Sequence, residues 1–361
     1  MRIDSNRRNM HADNRSRWRR RALVTPLFAL ATMAGLVGTS GAAPVGVPVL
    51  PGGEIVAAGD NTYGAVTPPA VPAGQTFTAV DTNGRFSIAL TSDGQVQGFG
   101  LSQLGMFEFP PLPAGQKYTA VSAGGAYTLL LTSAGQILGT GTNDRGQRVA
   151  PPLPDGQTYR AVSAGFTHSL ALTSAGQVVG FGNNASGQTD VPPPPPGQTY
   201  TAVAAGNWHS LALTSGGQVI AWGSLPQGEA VPAAPAGQTY TAIDADSFHS
   251  LALTSGGQVV GWGSGGASRG IFPTGQTYTA ISAGTYHSAA LTTTGQVVAV
   301  GDNDKGQLDI PAPPEGRKYT AVAAGSGTTV AIHGVDAPPD PGTGSLDSLG
   351  GSLTDLFGSL S

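Results

Sequence analysis

The chain predicts an all-β fold: a seven-bladed β-propeller whose last blade is closed by strands from both termini. Three observations carry this. The motif Gly-Gln-[Thr/Lys]-[Tyr/Phe]-[Thr/Arg]-Ala-[Val/Ile] returns at Gly74, Gly115, Gly156, Gly197, Gly237 and Gly275, and in a worn form at Gly316, with spacings of 41, 41, 41, 40, 38 and 41 residues. A second motif, Thr-Ser-x-Gly-Gln-[Val/Ile], follows in each unit, as at Thr173-Ser174-Ala175-Gly176-Gln177-Val178. The two ends of the array are complementary half-units. A period near 40 made of short apolar strands and glycine turns is that of propeller blades. The 55 Gly and 28 Pro of the 361 residues sit at fixed offsets between those strands, which separates this chain from an aperiodic, unfolded one.

Residues 1–43 are expected to be a secretion signal. Eight arginines precede an apolar run from Ala22 to about Val37, and small residues follow around Thr39–Ala43, where cleavage is expected. Arg19-Arg20-Arg21 resembles a twin-arginine signal. The run is short for a membrane span of about 20 residues, so no integral span is expected in the mature form. Losing eight Arg and two Asp takes the 17 basic and 21 acidic residues to 9 and 19, a net charge of −10 rather than −4. Such a surface is a poor match for nucleic acid or an anionic membrane. With no Cys, disulfides and thiolate metal sites or nucleophiles are excluded.

Residues 44–335 are the propeller. In one unit Tyr159–Gly165 is strand A, His168–Thr173 strand B and Gln177–Phe181 strand C, with a short strand D near Thr189-Asp190-Val191 before Pro192–Pro196. On strand B, Ser169, Ala171 and Thr173 face one side and His168, Leu170 and Leu172 the other, so small side chains oppose large ones. Gly176, Gly217 and Gly257 mark the B–C hairpin turns, where positive φ is needed. Residues 51–61 match strand C and its loop without a preceding A or B, while Tyr319–Gly325 and Thr328–His333 supply A and B without a following C. The halves complete one blade, which removes an exposed edge. A Pro/Gly/Asp linker over 336–345 leads to a tail, 346–361, whose Leu346, Leu349, Leu353, Leu356 and Leu360 have helical spacing in a Gly/Ser-rich segment; it reads as a short amphipathic helix or a disordered tail.

The pattern Ala-Gly-x-x-His-Ser-Leu-Ala-Leu-Thr-Ser-x-Gly-Gln-Val-x-x-[Trp/Phe]-Gly-x-Asn-x-x-Gly-Gln, seen at Ala164–Gln188 and in part at Ala205–Gly228 and Ala245–Gly263, resembles the regulator-of-chromosome-condensation repeat. The resemblance covers residues 51–333. Its secretion signal, its length and Gly187-Gln188-Thr189-Asp190-Val191-Pro192 are similar to the secreted propeller-type β-lactamase inhibitors of actinobacteria. The resemblance implies a non-catalytic, monomeric propeller that binds another protein, such as a β-lactamase or a related cell-wall enzyme. It also leaves open a guanine-nucleotide exchange propeller and an envelope glycan-binding or lyase-type propeller.

Alternating strands place the A–B and C–D loops on one face. The A–B loops carry Phe166, Trp208, Phe248 and Tyr286, and the C–D loops carry Asn183 and Asn184; aromatics ringed by polar loops suit a protein interface. In the similar inhibitors the aromatics just before the His position make the partner contacts, a role that falls on Trp208, Phe248 and Tyr286. Phe166, Tyr127, Asn183 and Asn184 complete the candidate partner-binding set. His168, His209, His249 and His287 each precede Ser on strand B, but adjacent strand residues point to opposite faces and cannot form a Ser-His-Asp triad, so they read as core histidines. Asp81, Asp244 and Asp246 are the carboxylates available to a glycan site. Asp302-Asn303-Asp304-Lys305-Gly306 lacks calcium-loop ligands and reads as a C–D turn. No cofactor or metal is expected.

Overall fold

The computed structural model describes residues 53–225, 230–264 and 270–335. The expected signal, linker and tail lie outside them. The described strands form seven antiparallel, three-stranded sheets. Six are meanders: blade 1 is β2 (Phe77–Thr82), β3 (Phe86–Thr91) and β4 (Val96–Gly100), and blade 2 is β5 (Tyr118–Ala123), β6 (Tyr127–Thr132) and β7 (Ile137–Gly141). Blade 3 is β8 (Tyr159–Ala164), β9 (His168–Thr173) and β10 (Val178–Gly182), and blade 4 is β11 (Tyr200–Ala205), β12 (His209–Thr214) and β13 (Val219–Gly223). Blade 5 is β14 (Tyr240–Ala245), β15 (His249–Thr254) and β16 (Val259–Gly263), and blade 6 is β17 (Tyr278–Ala283), β18 (His287–Thr292) and β19 (Val297–Gly301). Blade 7 takes β20 (Arg317–Ala324) and β21 (Thr328–Val335) from the C-terminal end and β1 (Glu54–Gly59) from the N-terminal end. This is the predicted stitched closure, with β1 in the strand C place from Glu54↔His333 to Gly59↔Thr328.

Each B–C turn follows its motif. In blade 3, Gly176 has φ +73°, Thr173 N–H donates to Gln177 O at 2.8 Å and Gly176 N–H to Thr173 O at 3.0 Å. Only glycine holds that conformation without a Cβ clash. The alternation on strand B sets how blades pack. Leu170 and Leu172 of blade 3 meet Tyr200, Val203, Ala205 and Trp222 of blade 4, while Ala171 meets Tyr127, Leu129 and Leu131 of blade 2. Large side chains on one face thus fill the space left by small ones on the next sheet, and each fully buried Leu is worth about 2–3 kcal/mol of transfer free energy.

The fourth strand expected near Thr189-Asp190-Val191 does not form. The segment passes beside strand C, where a Cβ on Gly180 would lie 2.8 Å from Thr189 O, but it makes no ladder. Its physical cause is the run Pro192–Pro196, which has no N–H to donate. A tyrosine fixes the chain there instead: Tyr200 Oη donates to Pro192 O at 2.7 Å, and Tyr118, Tyr159, Tyr240, Tyr278 and Tyr319 repeat the latch on Pro110, Pro151, Pro232, Pro273 and Pro311.

The first strand of every blade contacts the first strand of the next, so these strands line the axis and present a free edge to it. That edge is satisfied by a side-chain belt. Ala123 N–H donates to Asp81 Oδ2 at 2.8 Å, Ala164 to Ser122 Oγ at 3.1 Å, Ala205 to Ser163 Oγ at 2.9 Å, Ala283 to Asp244 Oδ2 at 2.8 Å and Ala324 to Ser282 Oγ at 3.0 Å. The remaining two blades carry Ala204 and Ala323 at the acceptor position. Their neighbours Ala245 and Thr82 donate to their own blades' Asp244 Oδ1 and Asp81 Oδ1, at 2.9 and 2.8 Å. Two carboxylates with two oxygens each and three hydroxyls therefore cap all seven N–H groups, and aspartate stands where the preceding blade offers alanine.

Candidate protein-binding face

The A–B and C–D loops share one face because a hydrogen bond joins them in blade after blade. Asn183 N–H donates to Thr167 O at 2.9 Å, Ser224 to Trp208 O at 2.9 Å, Asp302 to Tyr286 O at 2.9 Å and Asp60 to Gly327 O at 2.8 Å. On this face Phe166, Trp208 and Phe248 are half-buried and Tyr286 is 37% exposed. They form two pairs across blade boundaries: Phe166 meets Trp208 edge-on at 6.2 Å between ring centroids, and Phe248 meets Tyr286 at 6.1 Å. Packing against a neighbouring ring holds each aromatic while part of its surface stays open to solvent. The position of Trp208, Phe248 and Tyr286 is held by Gly327, Arg85 and Ala126 in blades 7, 1 and 2 and by Thr167 in blade 3, where Phe166 stands one residue earlier, so the aromatics form an arc over blades 3 to 6.

Tyr127 does not reach the face, and Asn183 and Asn184 reach it with side chains engaged in their own loop. Tyr127 is fully buried, its hydroxyl 2.6 Å from His168 O and 2.8 Å from Ser169 Oγ. It stands first on strand B, the position of the histidines, and that position points between blades. Asn184 and Asn183 are at the surface but turned into their own loop. Asn184 Nδ2 donates to Asp190 Oδ1 at 2.7 Å and its Oδ1 accepts from Thr189 N–H at 2.9 Å, while Asn183 Oδ1 accepts from Ala185 N–H at 3.0 Å. The segment 302–309 is the same turn, with Asn303 Nδ2 on Asp309 Oδ1 at 3.0 Å and Leu308 N–H on Asn303 Oδ1 at 2.8 Å. Among the described residues no group of three or more His, Asp or Glu is placed to hold a metal.

Sequence reasoning missed Tyr63 and Leu104, which the C–D loops bring to this face at 39% and 65% exposure. The Arg85 guanidinium lies 5.9 Å from the Tyr63 ring centroid, a cation–π contact. Tyr63 stands in the loop of the N-terminal half-blade, and only placing that half beside blade 1 brings it to Arg85.

The histidines join blades. His168 Nε2 lies 3.0 Å from Ser210 Oγ, His209 Nε2 2.9 Å from Ser250 Oγ, His249 Nε2 2.7 Å from Ser288 Oγ and His287 Nε2 2.8 Å from Thr329 Oγ1. Ser210 Oγ gives its own proton to Gln188 O at 2.7 Å and Thr329 Oγ1 gives its proton to Gln307 O at 2.6 Å. His168 and His287 are therefore the donors to them, the reverse of the proton flow that activates a nucleophilic serine. Three of the rings lie on a glycine, His168 on Gly165, His209 on Gly206 and His287 on Gly284: a Cβ on Gly206 would sit 2.5 Å from His209 Cε1 and 2.9 Å from Asp246 O. Asp81, Asp244 and Asp246 are likewise buried, the first two in the axial belt, which removes them from any open glycan pocket.

Burial drives the His209 pKa from 6.5 down to about 4. The neutral ring is the form that folds, so its contribution is intact above pH 6.5 and is lost as pH falls towards 4. The loss is about 3 kcal/mol. Denaturant titrations at pH 7.5 and 4 should show this difference between the parent chain and His209→Gln, whose amide keeps a donor but does not titrate.

The closed ring defines a seven-bladed β-propeller. Residues 159–188, 200–224 and 278–307, in blades 3, 4 and 6, match the Regulator of chromosome condensation (RCC1) repeat. No curated protein matches the chain in sequence. Prp20p from Saccharomyces cerevisiae superposes with TM-score 0.66 at 17% identity, over 80% of this chain and 93% of that one. Human WBSCR16 gives 0.63 at 18% identity over 78% and 99%, and the CRINKLY WD40 ectodomain of the Arabidopsis thaliana receptor kinase ACR4 gives 0.56 at 21% over 72% and 89%. At these identities the likeness is one of fold. Among the described residues no helix is long and apolar enough to cross a membrane.

Proposed function

We propose that this chain is a secreted, monomeric binding propeller that engages another protein through the A–B/C–D face. The observation that carries this is the arc of Phe166, Trp208, Phe248 and Tyr286, paired ring to ring across blade boundaries yet partly open to solvent on successive blades. Rigid, partly exposed aromatics at the centre of a face rimmed by polar turns have the anatomy of binding hot spots. The histidine–serine pairs and the buried aspartates are spent on joining blades, which favours binding over chemistry. Prp20p binds Gsp1p and histones, and Kap60 binds yeast RCC1, so propellers of this shape do receive protein partners. The finer reading is inhibition of a secreted or envelope-bound enzyme of the β-lactamase or cell-wall acyltransferase class.

Trp208→Ala should weaken capture of the partner from culture medium by roughly 30-fold, the value of a 2 kcal/mol hot spot, with an unchanged melting temperature. Equal capture by both proteins would place the interface elsewhere. Micromolar pure protein should also slow nitrocefin hydrolysis by at least one class A β-lactamase. Failure across several such enzymes removes the inhibitor reading and leaves the binding face standing.

A further inference from the structure

Six blades join strand B to strand C through a covalent turn, and blade 7 has none. In those six, three positions at this end of the sheet are invariably Thr, Gln and Gln, as Thr173, Gln177 and Gln157 are in blade 3. Blade 7 alone replaces all three, with His333 on β21, Glu54 on β1 and Arg317 on β20. One group comes from each strand, and they meet. Arg317 Nη1 lies 3.3 Å from Glu54 Oε2 and 3.2 Å from His333 Nδ1, and His333 Nε2 lies 3.6 Å from the same Glu54 oxygen. A neutral imidazole protonated on Nε2 fits this arrangement, accepting from Arg317 at Nδ1 and facing Glu54 with its N–H.

We infer that Glu54, Arg317 and His333 form an acid- and salt-sensitive clasp that holds blade 7 shut where the other blades have a covalent turn. Protonating Nδ1 takes away the acceptor for Arg317 and sets two cations side by side, against one carboxylate that is half exposed and screened. The remaining neighbours do not relieve the added charge. The Tyr319 ring stands edge-on to the imidazole at 6.2 Å, and Lys318, the next residue on β20, has its side chain packed beside Gly295 of blade 6. Burial first, and then Arg317, lower the His333 pKa, with Glu54 opposing. Stability from the neutral clasp is therefore complete above the ordinary histidine value and is lost as pH falls through the depressed one. The strand released is β1, whose loss frees the edge of β21.

Amide exchange of β1, taken as a ratio to that of β7 to cancel intrinsic pH effects, reads this opening locally. The ratio should rise about 10-fold between pH 7.5 and pH 5, the order expected for losing one hydrogen bond to a charged group. It should also rise with 1 M NaCl at pH 7.5. His333→Thr, which restores the residue of the other six blades, should abolish the pH-dependent rise, and Arg317→Gln should at least halve it. A flat ratio in the parent chain, or the full rise retained in either variant that folds, overturns the clasp.

Discussion

A chain shortened to begin at Asn61 is expected to lose the cooperative unfolding of the intact ring. Deleting β1 removes all six register pairs with β21, together with Gly53 N–H on His333 O and Phe77 N–H on Gly53 O, both at 2.8 Å. It also uncovers the core between blades 7 and 1, where Ile55 packs with Phe77, Val80, Val330 and Ile332. Burial of Ile55 alone is worth about 2–3 kcal/mol, and backbone hydrogen bonds about 0.5–1.5 kcal/mol each. Their sum takes most of the 5–15 kcal/mol that holds a typical domain folded. The bare edge of β21 should also make the shortened chain associate with itself. Thermal unfolding followed by circular dichroism should broaden and fall by more than about 10 °C. A synthetic peptide spanning residues 53–60 should restore the transition increasingly as its concentration is raised, with the logarithmic dependence of mass action. A shortened chain that melts within a few degrees of the parent would show that closure by β1 is dispensable.

This closure was legible because the two half-units are complementary in sequence, and because a one-residue slip would turn every apolar side chain of β1 to the wrong face. The strands of each blade were legible for the same reason. The missing strand D was less so: Pro192–Pro196 was visible, but its weight against a ladder depends on the Tyr200 latch, a contact between residues eight apart that no alternation pattern reports. On the face, the aromatic arc followed from strand order alone. Tyr127 was misplaced because an aromatic reads as a contact residue until its alignment with His168 fixes it as inward. Asn183 and Asn184 were read as polar contacts, whereas asparagine in a turn caps its own backbone. Asp81 and Asp244 invited a chemical reading because acidic residues are rarely buried, and their purpose emerges only when seven blades are set in ring order.

That ring order yields the sharpest test of the axial belt. Asp244→Ala should destabilise the protein by about 2–6 kcal/mol, since Ala245 and Ala283 each lose the partner of a buried N–H at about 1–3 kcal/mol apiece. Asp244→Ser, the residue of blades 2, 3 and 6, should recover the cap on Ala283 and leave Ala245 bare, and so lie about midway. Adding Ala204→Ser then supplies an oxygen to Ala245 from blade 4, as Ser163 does for Ala205. The double variant Ala204→Ser/Asp244→Ser should therefore be more stable than Asp244→Ser by about 1–2 kcal/mol, while Ala204→Ser in the parent background gains nothing because Asp244 Oδ1 already holds that N–H. Urea denaturation of the four proteins closes the cycle. Additive effects, with no coupling between positions 204 and 244, would mean that the two residues do not share one donor, and the belt would lose its logic. A positive coupling would identify alanine followed by aspartate in successive blades as an exchange of one acceptor between neighbours, in which either blade can serve the same backbone group.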